Sequence, residues 1–323
     1  MLVSLLITSH LLFIKDANLL RQDDLFKALK EARNQGAYIQ WNHPGYRQAI
    51  YLLGATGSGA EKVAPFLVSA LQSPDRVTRR YAASSLVGIG PAARAAVPEL
   101  ITALQDNAIQ TWAIKALGNV GADARAAIPD LKPMLAKTNL EAAIALHKID
   151  SGETEAFALL MSLLTSKDNP DRRKDAVWAL MNLGPLAVQA VPDLIELIRD
   201  PDFDTWNGAV NALHQISPRN PDVIPPLLTK LKGGDLDQIM AAIQLLRIDP
   251  SEPHGVSAMI TLLETGTNMD RVPIMDSLAK AGTNAALAVP TLKKFQGSSD
   301  KRERAAAARA LRLIEVQPAP VRE

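Results

Sequence analysis

Residues 90–104 read GPAARAAVPELITAL, and three close copies follow at 121–135, 184–198 and 282–296. Each copy has a proline eight residues after a glycine. Glycine suits the left-handed turn that ends a helix, and proline is tolerated in the first turn of the next helix, where its missing N–H costs nothing. Apolar residues then recur at helical spacing. The stretch therefore predicts a helix end, a turn and a new helix.

A second pattern lies about 24 residues after each glycine and predicts a second helix rich in small residues. It consists of a small or apolar residue, then leucine four positions later, then the next glycine-like turn, with neighbouring copies 29–34 residues apart. Eight full copies run from Gly57 to Ile314, preceded by a lone second-half element at 47–56. One helical hairpin buries too little surface alone, so the copies are expected to stack. The first residues of this pattern are Ala49, Ala82, Ala113, Ala142, Ala176, Ala209, Ala241, Ile274 and Ala307.

Composition agrees with an all-α protein and narrows its partners. Apolar residues make up 47% and aromatic residues 4%, a balance that favours closely packed helices. The net charge of +1 provides no overall field toward nucleic acid or an anionic membrane. The chain has no cysteine, which fits a reducing compartment. The N-terminal apolar run lacks signal-peptide features and is too short to span a bilayer, so we expect a cytoplasmic protein.

The repeated A-V-P-x-L and A-x-A-L elements resemble the HEAT repeats, particularly the short bacterial type called PBS-lyase-like, over residues 57–314. The resemblance implies a right-handed α-solenoid of about eight HEAT-like hairpins, with second helices on the concave side. The usual role of such repeats is protein–protein binding, although some relatives attach bilin chromophores and one related group excises alkylated DNA bases. We predict a monomeric, non-enzymatic scaffold for a protein partner, without cofactor, nucleic acid or membrane. Bilin lyase-like activity is the alternative.

Two columns on the second helices are candidate binding residues. The column three residues before the conserved small residue includes Arg79, Arg173 and Trp206 and contains no acid. It is either a stripe that faces an acidic partner or a ladder in which each arginine bonds an aspartate of the inter-helix turn, such as Asp75, Asp202, Asp270 or Asp300. A second column, two residues after the same small residue, includes Lys115, Trp178 and Asn211. Trp178 is either an exposed interface anchor or a filler between repeats. The predicted partner-binding residues are Arg79, Lys115, Arg173, Trp178, Trp206 and Asn211.

Residues 1–46 do not follow the repeat pattern. Their text SHLLFIKDAN at 9–18 and QGAYIQWNHPG at 35–45 resembles a fragment of the PHP metal-dependent phosphoesterases, which implies that His10 and His43 could bind metal. The family's opening H-x-H, its ligand carboxylates and its closing D-x-H are absent, and a hydrolytic centre needs several ligands. We therefore predict a small βα or helical cap at 1–46, the solenoid at 47–314 and a disordered tail at 315–323, with residual phosphoesterase activity as a further alternative.

His147 and His214 occupy equivalent positions in their repeats. Two repeats separate them, which corresponds to about 20 Å for helices stacked about 10 Å apart. That spacing is too long for a shared metal ion, so both are predicted to be polar histidines near helix ends.

Overall fold

The computed structural model describes residues 60–166, 168–265 and 270–315. These form eight successive helix–turn–helix repeats with no strand among them. The helices are α1 (Ala60–Leu71), α2 (Arg76–Ile89), α3 (Val97–Ala103), α4 (Gln110–Val120), α5 (Ile128–Leu135), α6 (Leu140–Ile149), α7 (Thr154–Leu164), α8 (Pro170–Leu183), α9 (Val191–Leu197), α10 (Phe203–Ile216), α11 (Ile224–Lys230), α12 (Asp235–Ile248), α13 (Pro253–Thr265), α14 (Val272–Ala281), α15 (Val289–Phe295) and α16 (Lys301–Glu315). Odd-numbered helices are first helices and even-numbered helices are second helices.

The glycine–proline spacing produces a defined local structure. The four glycines that end α2, α4, α8 and α14 have positive φ, between 58° and 75°, a conformation that glycine adopts without strain. A seven-residue 3-10 segment begins at each glycine, and the proline then lies in the first turn of α3, α5, α9 or α15. The 3-10 segment is a detail that the pattern did not predict.

The two repeats without the proline are built differently. Asp150 and Asp249 replace the glycine, and their Oδ1 atoms accept hydrogen bonds from the backbone N–H groups of Gly152 (3.0 Å) and Ser251 (2.8 Å). The helices that follow, α7 and α13, are continuous α-helices. An aspartate turn therefore takes the place of the glycine turn.

Several of the second helices begin with side-chain caps. Asp75 Oδ2 accepts from the backbone N–H of Thr78 at 2.8 Å, and Asp202 Oδ2 accepts from that of Thr205 at 2.9 Å. Asn139 caps α6 in the same manner through the N–H of Ala142. A capping side chain satisfies one of the N–H groups that the first turn leaves without an intrahelical partner.

The chain divides into two compact units, Met1–Ser162 and Leu163–Glu323. Within the first unit, α2 packs on α4 and α4 packs on α6. Within the second unit, α8 packs on α10, and the contacts continue through α12 and α14 to α16. Each unit is thus a stack in which second helices lie beside second helices. The predicted all-α architecture of stacked HEAT-like hairpins is confirmed.

Small residues allow the second helices to approach closely. The conserved alanines, among them Ala82, Ala113 and Ala142, are fully buried. At Gly118 in α4, an added Cβ would lie 2.9 Å from the Cα of Ala145 in α6. Ordinary side chains at these positions would force the helices apart.

Several predictions fall on parts of the chain outside the described residues. These are the cap at 1–46 with His10 and His43, the element at 47–56 and the tail beyond residue 315. In the part of the chain that the structure describes, none of the helices has the length and apolar character needed to cross a membrane.

Candidate functional site

In the first unit, the arginine column forms a structural ladder between hairpins. Arg79 Nε donates to Asp106 Oδ2 at 2.8 Å, and Arg79 Nη1 donates to the carbonyls of Ser73 (2.9 Å) and Pro74 (3.1 Å). The acid therefore comes from the turn of the next hairpin. The predicted partner in the same turn, Asp75, caps α2 instead.

The ladder also fixes the ionised state of its acid. Burial raises the pKa of Asp106, but hydrogen bonds from the Ala108 N–H and from Arg79, together with the arginine charge, outweigh burial and leave that pKa lowered. Ionised Asp106 thus joins two neighbouring turns.

The same arrangement recurs in the second unit. Arg173 Nη1 lies 2.9 Å from Asp200 Oδ2, and the two side chains are only 16% and 10% exposed. Arg271 Nη1 lies 3.2 Å from Glu303 Oε1, again in the following hairpin. Because these arginines bridge turns, Arg79 and Arg173 have a structural role in this conformation.

Trp206 differs from its prediction as a partner-binding residue, because its side chain is 0% exposed. Its Nε1 donates to Asp237 Oδ1 at 2.9 Å, so it occupies the arginine position in the ladder with an indole N–H. Phe203 packs edge-on against the indole at 5.5 Å, and Lys230 Nζ lies 5.3 Å from the ring centre. A fully buried side chain cannot contact a partner, so this assignment is wrong.

The second helices of the first unit expose an aromatic and basic surface. Tyr81 is 37% exposed. Lys115 Nζ lies 5.6 Å from the centre of the Trp112 ring and 2.9 Å from Glu141 Oε1. Lys148 Nζ donates to Asn119 Oδ1 at 3.1 Å. Of these residues, only Lys115 was predicted as a binding residue.

In the second unit, Trp178 lies at the surface of α8 and is 40% exposed. The Nδ2 of Asn182 donates to the backbone carbonyl of Trp178 at 2.8 Å, one turn along the helix. Nearby on α8, Lys174 Nζ lies 3.1 Å from Asp202 Oδ2. A large indole exposed at the surface of a helix is the kind of side chain that interfaces use as an anchor.

Asn211 belongs to a polar network on the same unit. Gln244 Nε2 donates to Asn207 Oδ1 (3.1 Å) and to Asn211 Oδ1 (3.3 Å), and Arg247 Nη1 donates to Asn211 Oδ1 at 3.0 Å. Gln244 is 3% exposed, and its buried Oε1 has no hydrogen-bond partner among the described residues. Asn211 therefore helps to join α10 to α12, and whether it also contacts a partner stays a prediction.

The two equivalent histidines lie in different environments. His147 is buried, with its ring 4.9 Å from that of Phe157. His214 lines a small cavity with Gln244, and burial together with nearby Arg247 lowers the pKa of His214. Among the described residues, no group of three or more metal-ligating side chains comes together.

A groove of about 380 Å³ lies between neighbouring hairpins of the first unit. Pro129, Pro133, Met134 and Leu104 provide apolar lining, and polar side chains such as Gln110 complete it. The amide of Gln110 is used to bond the Leu104 carbonyl at 2.7 Å.

Stacked hairpins joined by a ladder between turns define an α-solenoid repeat protein. Models of protein families place HEAT repeats at residues 64–141 and a PBS lyase HEAT-like repeat at residues 173–200. The chain therefore contains HEAT-like repeats at these residues. The phosphoesterase resemblance of residues 1–46 receives no support from these family matches.

The comparison with solved structures finds similar chains at low identity and with TM-scores below 0.5. They include Escherichia coli YibA (16% identity, TM-score 0.42, covering 92% of this chain and 93% of that chain). Human deoxyhypusine hydroxylase in complex with glycerol gives 17% identity and a TM-score of 0.33, covering 92% of this chain and 96% of that chain. The complex of CpcE and CpcF of phycocyanin lyase from Nostoc sp. gives 18% and 0.34, covering 83% of this chain and 97% of that chain. No curated protein matches the sequence.

Proposed function

We propose that this protein is a non-enzymatic, monomeric scaffold in the cytoplasm that binds a protein partner on the exposed face of its second helices. The observation that carries the proposal is the exposure of Trp178 on α8 and Tyr81 on α2. Second helices otherwise present buried alanine and leucine to their neighbours, so large aromatic side chains at their surface support contact with a partner. Tryptophan and tyrosine are enriched where interfaces gain most of their binding energy.

The remaining predicted residues divide into structural and surface roles. Arg79 and Arg173 bridge turns, which supports the ladder interpretation of their column. Lys115 lies at the surface beside Trp112. We therefore propose an aromatic surface on each unit, with Tyr81 and Lys115 in the first and Trp178 in the second. Neither surface includes the arginine ladder.

A pull-down with the immobilised full-length chain tests this function. Trp178→Ala should lose a partner that the unmodified chain retains from a lysate of the source cells. Leu287→Ala is the matched control, because Leu287 is 69% exposed and lies in the 3-10 segment before α15, on the first-helix side of its hairpin. A partner that survives Trp178→Ala but is lost with Leu287→Ala would place binding on the first helices and refute the proposal.

A further inference from the structure

The second helices of the first unit carry an excess of positive charge. Helices α2, α4 and α6 contain five cationic residues and one acid, Glu141; the cations are Arg76, Arg79, Arg80, Lys115 and Lys148. In both units, cations of second helices meet acids of the adjacent hairpin, as in the pairs Arg79–Asp106, Lys115–Glu141 and Arg302–Asp270. Among the described residues, however, no acid forms an ion pair with Arg76, Arg80 or Lys148, so the second helices of the first unit keep an excess of positive charge.

Three of these cations form a diagonal across the stack. Arg80 lies two residues before the repeated alanine of its helix, Ala82. Lys115 lies two residues after Ala113, and Lys148 lies six residues after Ala142. Successive offsets of four residues keep the side chains on one helix face. The helices are in matching register, because Lys148 bonds Asn119 at the equivalent position of α4. We call these three residues the basic diagonal.

The spacing of the basic diagonal matches an extended chain. Neighbouring helices lie about 8–10 Å apart, and four residues advance about 6 Å along a helix, so successive cations are about 11 Å apart. An extended peptide in the polyproline II conformation rises about 3.1 Å per residue with three residues per turn, so every third side chain lies on one face, about 9 Å from the last. Every third residue of such a peptide would therefore meet the next cation.

The local electrostatics favour an added carboxylate. Burial lowers the pKa of Lys148; the carboxylate of Glu141 opposes this shift, and the charge of Lys115 adds to it. Glu141 is already 2.9 Å from Lys115. Two ammonium groups thus share one nearby acid, and a second carboxylate would relieve their repulsion.

We propose that the basic diagonal binds an extended acidic peptide segment of a partner protein, with Asp or Glu at about every third residue and Tyr81 and Trp112 contacting apolar residues between them. This inference rests on the proposed scaffold function and specifies the chemistry of its partner. A nucleic-acid strand fits less well, because its phosphates recur about every 3.4 Å per strand, far more densely than these cations. The net charge of +1 for the whole chain also provides no wider basic track.

Fluorescence anisotropy with the full-length chain tests the proposal. The probes are labelled fifteen-residue peptides with Glu at every third position and Leu or Phe between, and the same peptides with Gln replacing Glu. Binding should require Glu and should weaken as salt rises from 50 to 200 mM, because exposed charges are screened over about 10 Å at 0.1 M. The variant Arg80→Ser/Lys115→Gln/Lys148→Gln should weaken binding by up to about fivefold per cation lost.

Matched controls separate site binding from general charge. Arg94→Ser/Arg125→Ser/Lys137→Ser removes the same number of cations away from the second helices and should leave peptide affinity unchanged. Because Lys148 is half-buried, the double variant Arg80→Ser/Lys115→Gln provides a second test if the triple variant loses helical circular dichroism. Equal binding of the Gln peptide, or equal loss in the control variant, would overturn the proposal.

The other anionic ligands are outcomes of the same experiment. Tighter binding of a fifteen-nucleotide RNA or of phosphatidylserine vesicles than of the Glu peptide would also overturn it. If the peptides fail while a protein partner still depends on Trp178, the acidic-peptide inference falls and the scaffold function stands. If no partner depends on the second helices, both fall.

Discussion

Two tryptophans of the second unit provide a direct comparison between a core role and a surface role. Trp206 is fully buried, whereas Trp178 is 40% exposed. Replacing a buried tryptophan with alanine typically lowers the free energy of unfolding by about 3–5 kcal/mol, and Trp206→Ala also removes the donor to Asp237 Oδ1. An exposed substitution usually changes that free energy by about 0.5 kcal/mol. We expect Trp206→Ala to be strongly destabilising and Trp178→Ala nearly neutral.

Urea unfolding followed by far-ultraviolet circular dichroism measures the difference without relying on tryptophan emission. For a slope of about 2–3 kcal/mol/M, Trp206→Ala should lower the urea midpoint by about 1–2 M. Trp206→Phe keeps an aromatic ring but loses the hydrogen bond, at a cost of about 1–2 kcal/mol, and its smaller ring adds a further loss of packing. Its effect on the free energy of unfolding should therefore fall between those of Trp178→Ala and Trp206→Ala. Equal midpoints for Trp206→Ala and Trp178→Ala would refute the assignment of Trp206 to the core.

Two further predictions concern helix packing and capping. Gly118→Ala should destabilise the protein by about 1–3 kcal/mol, because the added Cβ would lie only 2.9 Å from Ala145. Gly208→Ala should stabilise it by up to about 1 kcal/mol through helix propensity, because its added Cβ would make only an ordinary 3.5 Å contact. Thermal unfolding compares the two variants, and a stabilising Gly118→Ala would contradict the close approach of the helices. Hydrogen bonds from Thr205 lower the pKa of Asp202, so folding favours the ionised form. Its contribution is therefore present above the unfolded pKa of about 3.9 and is lost as pH falls through the folded pKa. Asp202→Asn still caps the helix, so the difference in unfolding free energy between the unmodified chain and this variant should shrink below about pH 4. A difference that widened there would mean that folding raises the pKa of Asp202.

The helix boundaries could be predicted from the sequence because they depend on single residues. A glycine followed eight residues later by a proline, as at Gly90 and Pro98, indicates a turn and a helix start, and the recurrence of the second-helix pattern gives the count of eight hairpins. Contacts between hairpins were harder to predict from the sequence. The acid that bonds Arg79 is Asp106, 27 residues later, and its choice over Asp75 depends on how neighbouring turns stack.

The burial of Trp206 could not be predicted from its column alone, because the residue that explains it lies in the next repeat. Its column is otherwise polar, so an indole there looked like an exposed contact residue. Asp237 stands one repeat later, where its carboxylate accepts the indole N–H at 2.9 Å. A residue's role in this fold thus depends on what the next repeat offers it, and a polar column can include a buried aromatic side chain when the following turn provides an acceptor.

Adjacent arginines in α2 show how this fold separates stability from binding. Arg79 is directed to the turn carbonyls and to Asp106, whereas Arg80, one position and about 100° further round the helix, is exposed. Removing Arg79 leaves two turn carbonyls and an acid without their donor, so Arg79→Ser should lower the unfolding midpoint. Among the described residues, Arg80 makes no hydrogen bond to a turn, so Arg80→Ser should lower affinity for the Glu peptide at an unchanged midpoint. Loss of peptide affinity with Arg79→Ser at full stability would mean that the ladder itself faces the partner, and the basic diagonal would then be misplaced by one residue.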